Sequence, residues 1–101
     1  MAFSISLRVI VYDDIDEAVN WYEQQSKGLG KRFSLQVEIA LTKIAITPYN
    51  YKIYHKNVRR VLLNRFPYKI FYTISPDNKI LVLGIYHGKR SKSFIIKRLS
   101  T

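Results

Sequence analysis

The chain has no cysteine among its 101 residues, which removes disulfides, thiol nucleophiles and thiolate metal sites together. It also lacks any apolar run near the roughly 20 residues of a membrane helix. Its opening, MAFSISLRVI, alternates polar and apolar residues where a signal peptide would carry an unbroken apolar stretch. A cytoplasmic protein with no membrane contact is therefore expected. The two histidines lie far apart, with no acid cluster near either, so no metal site is expected. There is no G-x-x-x-x-G-K-[ST] phosphate loop and no G-x-S-x-G nucleophile turn, and the G-L-G at 28–30 is a turn rather than a nucleotide fingerprint. No cofactor is expected.

Acidic residues are scarce and one-sided. Seven Asp and Glu face seventeen Lys and Arg, a net charge of +10. Residues 1–38 carry a net −2, while residues 39–101 carry a net +12 with Asp77 as their single acid. Solubility does not require the sign to segregate in this way, so a polyanionic partner is expected: nucleic acid, a ribosome or an acidic protein.

What is present suits one domain over 1–101. The 48% hydrophobic and 14% aromatic content argues against disorder, and the length allows one modest core. In FSISLRVIV, Phe3, Ile5, Leu7, Val9 and Val11 recur at period two, which predicts a strand with one buried face. Asp13 or Asp14 is then placed to cap a helix, with Asp16 and Glu17 near its positive end. Ile15, Ala18, Val19 and Tyr22 form one helical stripe, and Gly28 and Gly30 offer the left-handed conformation that ends a helix. A second helix is predicted through KRFSLQVEIALTKIAI, with Phe33, Val37, Ala40, Leu41 and Ile44 on its inner face and Pro48 closing it. Residues 49–57 read as a polar, aromatic connection. VRRVLLNR, YKIFYTI and KILVLGIYH follow as an antiparallel meander, with a turn at Phe66–Pro67 and a β-turn at SPDN, 75–78. The basic tail after His87 is expected to hold a helical turn or a short strand. The order is β-α-α-β-β-β, an α+β fold with a helical hairpin on a mainly antiparallel sheet.

Three places could carry chemistry. Alternation puts Arg59, Val61, Leu63 and Arg65 on one face of a strand and Val58, Arg60, Leu62 and Asn64 on the other. Both faces are apolar in the middle, so both are expected to be covered, with the arginines at the ends. Arg59 or Arg60, together with Arg65, could hold a phosphate bidentately, or could simply keep a strand edge soluble. In YHGKR, His87 could move a proton and Lys89 and Arg90 could stabilise a phosphorane, or His87 could merely hydrogen-bond the strand end. Tyr49, Tyr51 and Tyr54, between Lys52 and Lys56 and near His55, could stack on bases.

Taken together, DIDEAVNWYEQQSKGLGKRF, VRRVLLNRFPYKIFYTI and ILVLGIYHGKR resemble the RelE/ParE superfamily of bacterial toxins over nearly the whole chain. The resemblance implies the toxin of a type II toxin–antitoxin module of the plasmid-stabilisation kind, neutralised by a small, usually acidic antitoxin. It also implies one of two targets. RelE-like members cut mRNA in the ribosomal A site; Arg59, Arg65, His87 and Arg90 would then be the phosphate binders and proton donors. ParE-like members inhibit DNA gyrase without catalysis; the basic rim and tail, Lys52, Lys56, Arg60, Lys89, Lys92 and Phe94, would then be contact residues. The tail has no tyrosine after Arg90 and is closer to the ParE-like H-x-x-R-x-P-x-x-W pattern. Lys92 stands where that pattern has proline, and Phe94 stands near its aromatic position at shorter spacing. A plain RNA-binding module is the third reading.

Overall fold

The computed structural model describes residues 3–100; Met1, Ala2 and Thr101, the last of the basic tail, lie outside them. The elements are β1 (Ser4–Leu7), α1 (Val9–Gln25), α2 (Leu29–Ile46), a 3-10 turn at Pro48–Asn50, β2 (Ile53–His55), β3 (Val58–Leu62), β4 (Tyr68–Ile74), β5 (Lys79–His87) and α3 (Lys92–Leu99). They build one sheet in the order β1-β5-β4-β3-β2. β1 runs parallel to β5 and every other pair is antiparallel. The α+β architecture is the expected one.

Two layers cover the sheet. The α1–α2 hairpin buries the larger core: Val11 and Ala18 from α1 and Phe33, Val37, Ala40 and Ile44 from α2 pack on Val61, Ile70, Tyr72, Ile80, Val82 and Ile85. Both helical stripes read from the sequence are therefore real, with Leu41 and Tyr22 at the margin of this core. On the opposite face, Ile95 of α3 buries with Val58, Phe71 and Tyr86, flanked by Tyr54, Phe94 and Leu99. Gly84 makes this thin layer possible: the Tyr86 ring folds back over it, and a Cβ there would sit 2.5 Å from the ring.

Five local expectations need correction. The first strand stops at Leu7, and Val9–Val11 open α1 instead of continuing it. The cause lies in the backbone bonds: Arg8 N–H donates to Val82 O at 3.1 Å and Val11 N–H to Arg8 O at 2.9 Å, so the chain turns as soon as the pairing with β5 ends. Arg8, without a side-chain cap, precedes the helix; Asp13 and Asp14 lie in its second turn and cap nothing. At the hairpin, Gly28 has φ +85° and precedes α2, while Gly30 lies inside that helix. An added Cβ on Gly30 would meet Val19 O at 2.6 Å, so its role is close helix approach. The Glu23 carboxylate accepts from both turn amides, Gly28 N at 2.9 Å and Gly30 N at 3.0 Å, satisfying donors at the α2 start that no residue of α2 caps.

Residues 49–57 are more than a connection, since they contain the edge strand β2, paired with β3 through an irregular register. Further on, β3 ends at Leu62, so Arg65 is not on a strand face. It sits in the β3–β4 turn with φ +71°. The SPDN turn forms as expected, with Asn78 N–H donating to Ser75 O at 3.1 Å, and the tail resolves into the helix α3.

Candidate functional site

β5 is nine residues long but β1 reaches only as far as Val82. Past that point β5 has β4 on one side and an open cleft on the other. α1 forms one wall with Asp14, Glu17, Trp21 and Tyr22, α3 the other with Phe94 and Arg98, and Tyr68 and His87 lie at its end; the cleft holds about 770 Å³. Trp21 is 55% exposed at its mouth.

The turn after β5 sets the cationic side of this cleft. Gly88 N–H donates to Pro67 O at 2.6 Å and Arg90 N–H to His87 O at 3.0 Å. Ser91 then caps α3, its Oγ accepting from Phe94 N–H at 3.2 Å. Arg90 is thereby placed over the Phe94 ring, 4.6 Å from its centre. His87 is fixed by the same turn: its Nδ1 accepts the Lys89 backbone N–H at 3.0 Å, and its ring stands edge-on to Tyr68 at 5.2 Å. A neutral imidazole whose Nδ1 is an acceptor carries its proton on Nε2, so it offers the cleft a donor and no lone pair.

Two charged groups close the far side. Arg98 reaches Asp14 at 3.5 Å and lies over the Tyr86 ring at 5.6 Å. The Tyr86 hydroxyl beside it raises the Arg98 pKa further above the usual arginine range, with Asp14 adding to this. Burial pushes the Asp14 carboxyl above its ordinary value, against the pull of Arg98. Tyr68, at the cleft end, is also raised, chiefly by burial.

The second feature is the outer face of the α3 layer. Arg60 lies opposite Phe71 and Lys69 opposite Tyr86, and both partners belong to the core beneath α3, so both cations stand on this face. Lys92 Nζ lies 5.4 Å from the Tyr54 ring centre. Lys97 is exposed on α3, and Lys89 on the turn before it. All seven acids of the chain lie outside this face: five on α1, Glu38 on α2 and Asp77 in the β4–β5 turn. The sign segregation along the sequence is thus a segregation between layers.

His87, Arg90 and Phe94 share the cleft, and Lys89 adjoins it through its backbone. Arg60 and Lys92 share the α3 face with Tyr54. Lys52 is exposed beside β2, its carbonyl accepting the Arg60 N–H at 3.0 Å, and Lys56 occupies the β2–β3 turn with φ +51°. Arg59 and Arg65 of the VRRVLLNR stretch are not brought together. Arg59 faces the hairpin side, opposite Tyr72, and donates to Tyr51 O at 2.7 Å and Tyr49 O at 3.3 Å. By register it sits five residues along β5 from His87, about 17 Å away at ~3.4 Å per residue. Arg65 lies at the other end of β3, over a groove with Arg32, Leu35 and Phe66. Asp14, Trp21, Lys69, Lys97 and Arg98 were absent from the sequence-based set. Among the described residues, no group of three His, Cys, Asp or Glu could hold a metal ion, and no helix is long and apolar enough to cross a membrane.

Three solved structures that share this fold come from a toxin or from toxin–antitoxin systems. E. coli RelE, in a double-arginine variant in the free state, superposes with a TM-score of 0.64 at 12% identity, over 97% of this chain and 98% of that one. The chromosomal ParDE system of P. aeruginosa gives 0.62 at 14% identity, over 85% and 96%. The RelBE2 toxin–antitoxin complex of Mycobacterium tuberculosis gives 0.59 at 13% identity, over 86% and 99%. No curated protein sequence matches the chain. A family model described as the ParE toxin of the type II toxin–antitoxin system, parDE, matches residues 7–92, and by that match the chain belongs to the ParE toxin family of type II toxin–antitoxin systems.

Proposed function

We propose that this toxin acts in the ParE manner, stopping growth by binding DNA gyrase, and that it performs no chemistry on nucleic acid. The observation that carries the reading is the state of His87. Its Nδ1 accepts a backbone N–H, so the neutral ring has no basic nitrogen to offer, and serving as a general acid would require breaking that bond to form the imidazolium. The dispersal of Arg59, Arg65 and Arg90 over three parts of the fold supports the same reading, because phosphoryl transfer needs its cations around one phosphate.

The competing reading, ribosome-dependent mRNA cleavage, draws on one specific feature: the cleft gathers His87, Arg90 and Arg98. Pulse labelling after induction in a bacterial host separates the two. Thymidine incorporation falling first, with methionine incorporation continuing, supports gyrase. Methionine incorporation falling first overturns it and makes the cleft an active site.

The partner that restrains this toxin is proposed to be a small antitoxin with an acidic binding segment. The cationic balance of residues 39–101 supports this choice, since opposite charge speeds capture.

A further inference from the structure

We infer that the α3 face is a binding surface for the sugar–phosphate backbone of a nucleic-acid duplex. The inference goes beyond the gyrase reading and does not depend on it. Three observations carry it. The first is the charge layout: Arg60 and Lys69 on the strands, Lys92 and Lys97 on α3 and Lys89 on the turn form one cationic surface, with every acid of the chain placed elsewhere. Asp14, which meets α3 near its C-terminal end through Arg98, marks the border.

The second is shape. This surface is a short helix lying on a sheet. From β2 to β5 it spans about 14 Å at ~4.8 Å per strand. That matches the axial length of about four phosphates on one strand of a duplex.

The third is the condition of its aromatic rings. Single-stranded nucleic acid is held by free rings on which bases stack. Here Phe71 and Tyr86 are buried, Tyr54 packs edge-on against Phe71 at 4.9 Å, and Phe94 stands against Tyr86 at 6.0 Å. Lys92 and Arg90 lie over the outer rings. With the rings already occupied, the face offers cations and no stacking platform. That chemistry reads phosphate and leaves the bases unread, as backbone binding of a duplex does.

Fluorescence anisotropy with labelled 25-base-pair probes tests this on the purified chain. A DNA duplex and an RNA duplex distinguish the two possible sources of the backbone, and the DNA single strand and a poly-glutamate peptide stand as alternatives. Duplex binding is expected with a log–log salt slope of about −3 to −4, so affinity drops about 100-fold between 50 and 200 mM salt. Reversing Lys69, Lys89 and Lys97 to Glu together is expected to weaken binding at least about 100-fold at 50 mM salt, roughly ten-fold or less remaining for a comparison variant that reverses Lys27, Lys31 and Lys43 on the hairpin layer. The two variants carry the same net charge, so only the location differs. Equal losses in both would make the effect global charge and overturn the proposal. So would a slope near zero, a single strand bound as tightly as the duplex, or poly-glutamate bound more tightly than either duplex. Gyrase supercoiling assays of the same variants keep the questions apart. Inhibition without duplex binding leaves the gyrase reading standing alone, and duplex binding without inhibition leaves this one.

Discussion

Among the described residues, thirteen bury in one cluster on the hairpin side of the sheet and four on the α3 side. The outer surfaces differ in the opposite sense: the hairpin layer carries six of the seven acids, and the α3 layer carries cations alone apart from its border with Asp14. A thick layer built from two long helices can hold the fold, which leaves the thin layer free to be shaped by what it meets. Stability and recognition are thus divided between the two faces, and each substitution below probes that division.

The largest effect is expected at Phe33. It is fully buried, stacked on Tyr22 at 5.2 Å and edge-on to Phe66 and Tyr68 at 5.2 and 5.0 Å. Phe33→Ala removes the centre of this aromatic group and should cost about 3–5 kcal/mol in urea unfolding. That is a large share of the roughly 5–15 kcal/mol total of an ordinary domain. A loss under about 1 kcal/mol would show that the hairpin layer is not the one holding the fold.

On the other face Ile95 is the buried anchor of α3. Ile95→Ala should cost about 2 kcal/mol, the low end for such a truncation, because a single short helix can settle into the space. Hydrogen exchange sharpens the contrast. The α3 amides should exchange faster in this variant while those of β4 keep their protection, since α3 would open alone. Equal loosening of β4 would mean that the two layers fold as one unit.

Tyr72, in the hairpin-side core, comes next. Its hydroxyl donates to Pro48 O, tying the 3-10 turn to the sheet, and burial pushes its pKa up to about 12 from 10.0. Tyr72→Phe leaves a carbonyl without its donor and should cost about 1–2 kcal/mol. The pH dependence has a definite sign. Above pH 10 the unfolded tyrosine ionises while the folded one keeps its proton, so stability present below pH 10 is lost as pH rises toward 12. The phenylalanine variant should lack this component of alkaline unfolding.

Much of this fold could be read from the sequence because periodicity reports burial directly. The stripes through Ala18 and Val37 and the meander of β3 to β5 are of that kind. The start of α1 could not. Val9 and Val11 satisfy period two, and Val9–Val11 suit the first turn of a helix equally well; the deciding fact is the turn at Arg8, whose N–H bonds Val82 O and whose carbonyl accepts the Val11 N–H, taking the chain off β5. β2 was hidden for a different reason: it is three residues long, polar in its surroundings and paired through a shifted register. The site was legible where it is local, as in His87, Lys89, Arg90 and Phe94, which one turn and one capped helix bring together. It was illegible where 84 positions separate the partners, as with Asp14 and Arg98. Likewise, Arg65 was expected on a strand face because nothing in VRRVLLNR announces the positive φ that takes it off.

The smallest effect is expected where the two layers touch. Asp14 and Arg98 are 3.5 Å apart with side chains 23% and 34% exposed, a geometry that looks like a clasp between α1 and α3. Burial nevertheless raises the Asp14 pKa, with Glu17 and Asp13 pushing the same way, and Arg98 does not offset them. The folded state therefore holds the Asp14 proton more tightly than the unfolded state does. The stability this group contributes is complete below the ordinary value of 3.8 and is lost as pH rises through the higher folded value. Asp14→Asn should flatten that acid-side slope and change stability at neutral pH by no more than about 1 kcal/mol, as for other partly exposed pairs. Urea unfolding at pH 3.5 and pH 7 measures both. A loss above about 2 kcal/mol at neutral pH would mean that charge rather than Ile95 holds α3 in place, and the thin layer would then detach in salt instead of on truncation of its apolar anchor.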